Sequence, residues 1–243
     1  MKSTSPQPDS PVHEGAAPPV LEGAAPLIRA ARESDVPFLA SVLAMAGRGH
    51  LERGPWDLLF PDTAERQRAL EYMAAGPVTS WCHREYFHVA ELQGQPCAAL
   101  VAFDAARLGD TSLAAPLYAT FAMLGWSEER AAGLGPLLGP YVACFPDMPP
   151  DTWIVENVGT RKDARRHGLV RALLDRALEA GRRSGCSQAQ ISCLIGNDAA
   201  QRAYERAGFE VVEEKRDPAF EALIGAPGFS RMTRTLDTRA EQQ

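Results

Sequence analysis

Apolar and polar positions fall into recognisable periods from residue 27 onward. Leu27-Ile28-Arg29-Ala30-Ala31 reads as a first strand. Val36, Leu39, Val42, Leu43 and Ala46 then recur at helical spacing, with Ser34 or Asp35 as the cap. A second helix is predicted over 63–75, stopped by Gly76-Pro77. Residues 86–92 and 97–103 read as strands, with a hairpin turn in Gln93-Gly94-Gln95-Pro96. The connection 104–151 is too long to be structureless in a compact fold, so helices are predicted near 116–124 and 128–138. Residues 153–158 form an apolar strand interrupted by Glu156 and Asn157. Leu169, Ala172, Leu173, Ala177 and Leu178 mark a long amphipathic helix, and 189–194 a further strand. A helix begins near Asp198, and 231–236 reads as the last strand, after a loop holding Pro218 and Pro227.

Residues 1–26 hold six prolines among many Ala, Gly and Ser, and read as a disordered leader with no function assigned. The remaining 27–243 suit one domain in a chain of 243 residues, 45% of them hydrophobic. The net charge of −6 is unevenly spread. Residues 1–151 carry 10 Lys+Arg against 18 Asp+Glu, net −8, and 152–243 carry 15 against 13, net +2. The basic excess thus lies in the C-terminal part, and nothing resembles a nucleic-acid-binding stripe. Five cysteines, odd in number and without metal-type pairing, fit reduced thiols in a cytoplasmic protein. Pro and Ser stand where a signal peptide's apolar segment would lie, and no apolar run approaches membrane-spanning length. Neither a nucleic acid nor a membrane is expected as a partner.

Between the strand near 153–158 and the long helix lies Arg165-Arg166-His167-Gly168-Leu169-Val170. A strand, a basic turn with a glycine and a helix N-terminus make an anion cradle. The first-turn N–H groups are unpaired, the dipole favours negative charge, and the arginines add charge-assisted contacts. Such a cradle suits a pyrophosphate. The spacing is neither that of a P-loop nor that of a dinucleotide fingerprint. It matches [QR]-x-x-G-x-[GA], with Val170 in the last place. Downstream, Asn197-Asp198-Ala199-Ala200-Gln201-Arg202-Ala203-Tyr204-Glu205-Arg206-Ala207-Gly208-Phe209 follows N-x-x-A-x-x-x-Y-x-x-x-G-F. The two blocks, in this order with a strand between them, resemble the GCN5-related N-acetyltransferase (GNAT) superfamily.

That resemblance is sharp over 152–212 and rests on element order back to residue 27. It implies an α/β (α+β) fold with a twisted, mixed, mostly antiparallel sheet flanked by helices. Two central strands splay to admit the pantetheine arm of acetyl-CoA, and 104–151 is a helical insertion. The implied activity is transfer of an acetyl group from acetyl-CoA to a primary amine of a small molecule or peptide. Attack is direct, in a ternary complex, without a metal, and a homodimer is a possible assembly. The turn residues Arg165, Arg166, His167, Gly168, Leu169 and Val170 would hold the pyrophosphate. The backbone N–H groups of Val158 and Thr160, on a strand bulge eased by Gly159, would face the acyl and pantetheine portions. Asn197 would bond the pantetheine arm, cap its helix, or both. Tyr204 would protonate the leaving thiolate, and Glu156 would accept the amine proton, often through water. Core packing of Tyr204 and pairing of Glu156 with an arginine are the structural alternatives. The rival function is a non-catalytic acyl-CoA sensor, which would need neither side chain.

Three further patterns have plainer explanations. Gly133-Leu134-Gly135-Pro136-Leu137-Leu138-Gly139 reads as helix-breaking structure rather than a phosphate loop. His83 and His88 are an odd number of residues apart and face opposite sides of a strand, so Cys82, His83 and His88 read as structural or surface residues rather than a metal site. Trp56 to Phe60 reads as core packing, with the aromatic residues walling an acceptor cavity and Asp57 holding a cation in the less favoured reading.

Overall fold

The computed structural model describes residues 25–109 and 112–236, so all but the last two residues of the predicted leader lie outside the described residues. Seven strands form one sheet: β1 (Leu27–Ala30), β2 (Phe87–Leu92), β3 (Gln95–Asp104), β4 (Thr152–Thr160), β5 (Gln188–Leu194), β6 (Glu210–Arg216) and β7 (Gly228–Thr235). Their spatial order is β1-β2-β3-β4-β5-β7-β6. Every neighbouring pair is antiparallel except β4 and β5. That parallel pairing stops at Val155 opposite Ile191, although both strands run on. The sheet therefore forks at its centre, and the site lies in the fork.

The helices sort to the two faces by the two-residue period of the strands. Phe87, Val89, Val101, Phe103 and Ile154 point to one face. There they meet α1 (Val36–Arg48), α2 (Pro55–Leu59) and α3 (Thr63–Ala75). Leu100, Ala102, Trp153 and Val155 point to the other, against α8 (Leu169–Ser184). The buried stripe of α8 is Leu169, Leu173, Leu174, Ala177 and Leu178. Each such leucine contributes about 1.5–3 kcal/mol on full burial.

Between β3 and β4 the chain builds α4 (Ala105–Leu108), α5 (Ala114–Met123), α6 (Glu128–Ala132) and α7 (Gly135–Cys144). The helix predicted over 128–138 is thus two, parted at Gly133-Leu134, where the glycine ends α6. Gly139 and Pro140, however, sit inside α7. The loop expected before the last strand contains β6 and then α10 (Pro218–Ile224), whose first residue is Pro218 and whose cap is Asp217. Asp35 is the cap residue of α1, but its carboxylate makes no cap bond. It is bound by Arg29 at 2.6 and 2.9 Å and by the Arg32 N–H, a demand local propensity does not reveal.

Candidate active site

The fork opens into a cavity of about 920 Å³ lined from both faces of the sheet. Its walls include Glu156, Val158, Gly159, Thr160, Arg165 and Val170, and also Asn197 and Tyr204. Eight of the residues singled out from sequence therefore share one space. Arg166, His167, Gly168 and Leu169 lie outside this lining, in the adjoining turn. Leu169 is 2% exposed and packs inward, so only its backbone faces the turn.

The turn is shaped for an anion. Arg166 and Gly168 have φ of 67° and 72°. Gly168 caps α8 and, lacking a side chain, makes no cap bond to the first-turn N–H groups, which a bound anion could take. A Cβ on Gly168 would meet open space, so the glycine answers to its backbone angle rather than to crowding. Arg165 and Arg166 are exposed and make no ion pair among the described residues. His167 is held by its own turn, with Nδ1 2.9 Å from the Arg165 carbonyl oxygen.

The bulge on β4 is real but is not where Gly159 suggested. Val101 pairs with Glu156 and Ala99 with Gly159, so Leu100 faces two residues, Asn157 and Val158. Asn157 takes φ of 52° there, a conformation asparagine tolerates. Gly159 stays in the ladder. A Cβ on it would stand 3.1 Å from Val42 Cγ1, so its smallness lets α1 approach the strand. Thr160 also pairs in the ladder, with Ala98. Its buried hydroxyl makes no hydrogen bond among the described residues and lines the cavity.

Glu156 sits at the first step past the end of β4–β5 pairing. The Ser192 hydroxyl, on β5, donates to its Oε1 at 2.5 Å. Burial pushes the carboxyl from 4.5 up to about 7, with Ser192 and the Asn157 N–H pulling it back. Among the described residues no arginine pairs with it. Tyr204 lies on α9 (Asp198–Arg206), 5% exposed, part of the α8-face core and of the cavity wall at once. Burial, then the charges of Cys193 and Glu156, raise its phenol and keep it protonated. Asn197 caps α9 through Oδ1, which accepts from Ala200 N–H at 3.3 Å, and it also lines the cavity. Burial pushes the Cys193 thiol up to about 12, so scarcely any thiolate exists there at neutral pH.

Two neighbours of Glu156 carry no motif. Ser192 is a polar residue in an otherwise apolar strand, and only the register of the fork gives it meaning. Tyr141, on α7, stacks on Phe145 and meets Phe220 and Phe229 at centroid distances of 5.8, 5.8 and 5.7 Å. Burial raises its phenol, and the Glu156 charge adds to this. It is brought in by long-range packing that no local pattern announces. Asp57, in contrast, is consumed internally: Arg48 holds it at 2.6 Å and Arg66 at 3.2 Å. Its cation is the protein's own. Among the described residues no cluster of three or more His, Cys, Asp or Glu is placed to hold a metal.

Comparison with known proteins agrees with this geometry. The family model described as the acetyltransferase (GNAT) family matches residues 56–209. GCN5-related N-acetyltransferase 6, chloroplastic, of Arabidopsis thaliana is 35% identical over 69 residues, a match spanning 28% of this chain and only 23% of that protein. A solved acetyltransferase structure superposes with a TM-score of 0.62 at 19% identity, covering 87% of this chain and 100% of the other. An N-acetyltransferase from Staphylococcus aureus Mu50 does so with 0.59 at 17%, covering 86% and 100%. These two likenesses show the shared fold, a mixed seven-stranded sheet flanked by helices. With the family model covering well over half of its length, the chain belongs to the GNAT acetyltransferase family, whose members are acetyl-CoA-dependent acetyltransferases.

Proposed function

We propose that this enzyme moves an acetyl group from acetyl-CoA to a primary amine by direct attack, with Glu156 as base and Tyr204 as acid. The observation that carries the reading is the placement of Glu156. It is a carboxylate without a cationic partner among the described residues, poised near pH 7, and it shares one cavity with Tyr204 and with Arg165 beside the start of α8. The residues present fit a thioester on a pyrophosphate-bearing arm. Free N–H groups and two unpaired arginines suit the pyrophosphate, and the orphan Thr160 hydroxyl suits the arm.

The chemistry then balances. Glu156 takes a proton from the ammonium, directly or through one water. The freed nitrogen lone pair forms the N–C bond to the thioester carbonyl. The C–S bond breaks and the thiolate receives a proton from Tyr204, while the attacking nitrogen loses its second proton to the Tyr204 phenolate, leaving a neutral amide, the free CoA thiol and a protonated Glu156 that returns its proton to solvent. With the Asn157 N–H engaged by Glu156, the Val158 N–H on the bulge is the backbone donor left to polarise the carbonyl in this reading, a contribution of about 3 kcal/mol. Holding both reactants in one cavity supplies much of the remaining rate. The high Cys193 pKa argues against an acyl-cysteine route, since the nucleophile would have to be the thiolate.

The test is amine-dependent release of free CoA thiol from acetyl-CoA, with the acetylated amine identified by mass. Equal amounts of both products, with Cys193→Ser retaining turnover, are expected. Binding of CoA without thiol release across diverse amines would instead establish a sensor.

A further inference from the structure

Resting on that reading, we infer that the acceptor is a monoamine with an apolar body, not a polyamine, an aminoglycoside or an extended polar peptide. The cavity has two unlike ends. On the α8 face its wall is Val170, Ala200, Ala203 and Tyr204, beside Arg165, and this end adjoins the anion cradle. On the α1 face the wall is mostly carbon, from Met45, Trp56, Leu59, Leu117, Phe121 and Leu138, with the neutral hydroxyl-bearing Tyr118 and Tyr141 beside them. Since the cradle takes the donor, the α1 face is left for the acceptor.

Charge separates the acceptor classes. Among the described residues that line the cavity, the charged side chains are Arg165, Glu156 and Asp147. Asp147 is already paired with Lys215 at 3.2 Å, and its side chain is 85% exposed at the edge. Glu156 is therefore the one unpaired carboxylate of that lining, enough for a single ammonium. A second ammonium would enter an apolar wall and lose its water without a counter-charge. An apolar body gains there by burial. The opening agrees: Tyr118 and Val142, 68% and 69% exposed, both line the cavity and present apolar surface to solvent. Both come from the helices between β3 and β4, which accordingly set the acceptor class.

The experiment compares 2-phenylethylamine, spermidine, an aminoglycoside and a short polar peptide as acceptors, with acetyl-CoA saturating. The same compounds are titrated calorimetrically into the CoA-bound protein. Val142→Glu, at an exposed position, adds a second carboxylate to the opening without disturbing the core. The expected kcat/KM for 2-phenylethylamine is at least tenfold above that for spermidine or the aminoglycoside. Val142→Glu should shrink that ratio at least fivefold while leaving the KM for acetyl-CoA unchanged. Equal or better turnover of a polycation or of the peptide overturns the inference and leaves acetyl transfer standing. If no amine is turned over, the transfer reading falls, and calorimetry decides the inference alone. Tighter binding of 2-phenylethylamine than of spermidine, weakened in Val142→Glu, upholds it, and equal binding overturns it.

Discussion

On the α8 face the cavity is walled by a short stretch of chain. Residues 152–204 carry β4, the Arg165–Gly168 turn, β5, Asn197 and Tyr204. On the α1 face the wall is gathered from α1, α2, α5 and α7, whose positions range from Met45 to Val142. The first end works largely through backbone: helix N–H groups, a strand bulge and a left-handed glycine. The second works through side-chain shape. Backbone devices demand particular residues at particular spacings, because only glycine sits easily at φ of 72° and only an N-terminal turn offers free N–H groups. A shape-lined wall demands only apolar volume, which many sequences supply. One end is therefore suited to a constant donor and the other to an acceptor that differs between proteins.

The largest expected effect tests the group at the junction of the two ends. Glu156→Gln should lower kcat about a hundredfold, and Tyr204→Phe at least tenfold, each leaving the Kd for CoA nearly unchanged in a calorimetric titration. If both variants keep full activity, Glu156 is not the base and Tyr204 is not the acid. In the wild type, kcat/KM should rise with pH through about 7 as Glu156 loses its proton. The stability sign runs the other way. The folded carboxyl titrates near 7 against 4.5 ordinarily, so the folded state binds more protons than the unfolded one between those values. Glu156 therefore costs stability increasingly from pH 4.5 to 7, and fully above it. Glu156→Gln should raise Tm at pH 8 and lose that advantage near pH 4.

Next in size is the donor cradle. Gly168→Ala forces a Cβ onto a residue at φ of 72°, costing about 1–2 kcal/mol of backbone strain. The turn should relax away from its anion-binding shape. The KM for acetyl-CoA should rise about tenfold, with kcat and the KM for the amine almost unmoved. A change in the amine KM instead would mean that the two ends are not separate.

How much of the site is legible in the sequence follows the same division. Arg165, Gly168, Asn197 and Tyr204 are readable because each obeys a local rule of spacing, and Glu156 because it breaks an apolar strand. Gly159 is a false marker for the bulge, which lies just before it at Asn157-Val158, since this glycine serves α1 packing through Val42, a partner 117 positions away. Asp57 looks available in sequence because its arginines, Arg48 and Arg66, lie on neighbouring helices. Ser192 and Tyr141 are invisible for a plainer reason. A serine in a strand and a tyrosine in a helix acquire their roles only when the fork and α7 meet.

A smaller effect bears on the acceptor end. Trp126 stacks on Phe121 at 4.6 Å and lies 5.5 Å from Phe60, and its Nε1–H donates to Glu65 on α3 at 2.7 Å. It ties α5 to the α1 face just behind the cavity wall. Trp126→Ala should raise the amine KM three- to fivefold and lower stability by about 3 kcal/mol, without altering the KM for acetyl-CoA.

The smallest effect separates packing from charge within that same tie. Arg130 lies over the Trp126 ring at 3.6 Å and pairs with Glu65 at 3.0 Å, but its side chain is 49% exposed. An exposed ion pair contributes about 0–1 kcal/mol, and an exposed cation–π contact about 0.5–1 kcal/mol. Arg130→Ala should thus lower Tm by only a few degrees, with part of the loss disappearing in high salt. Its amine KM should stay at the wild-type value, because Trp126 keeps both its stack on Phe121 and its bond to Glu65. An amine KM raised as far as in Trp126→Ala would show that charge, not ring packing, holds the acceptor wall in place. The contrast between a backbone-built donor end and a shape-built acceptor end would then fail where it is most exposed to test.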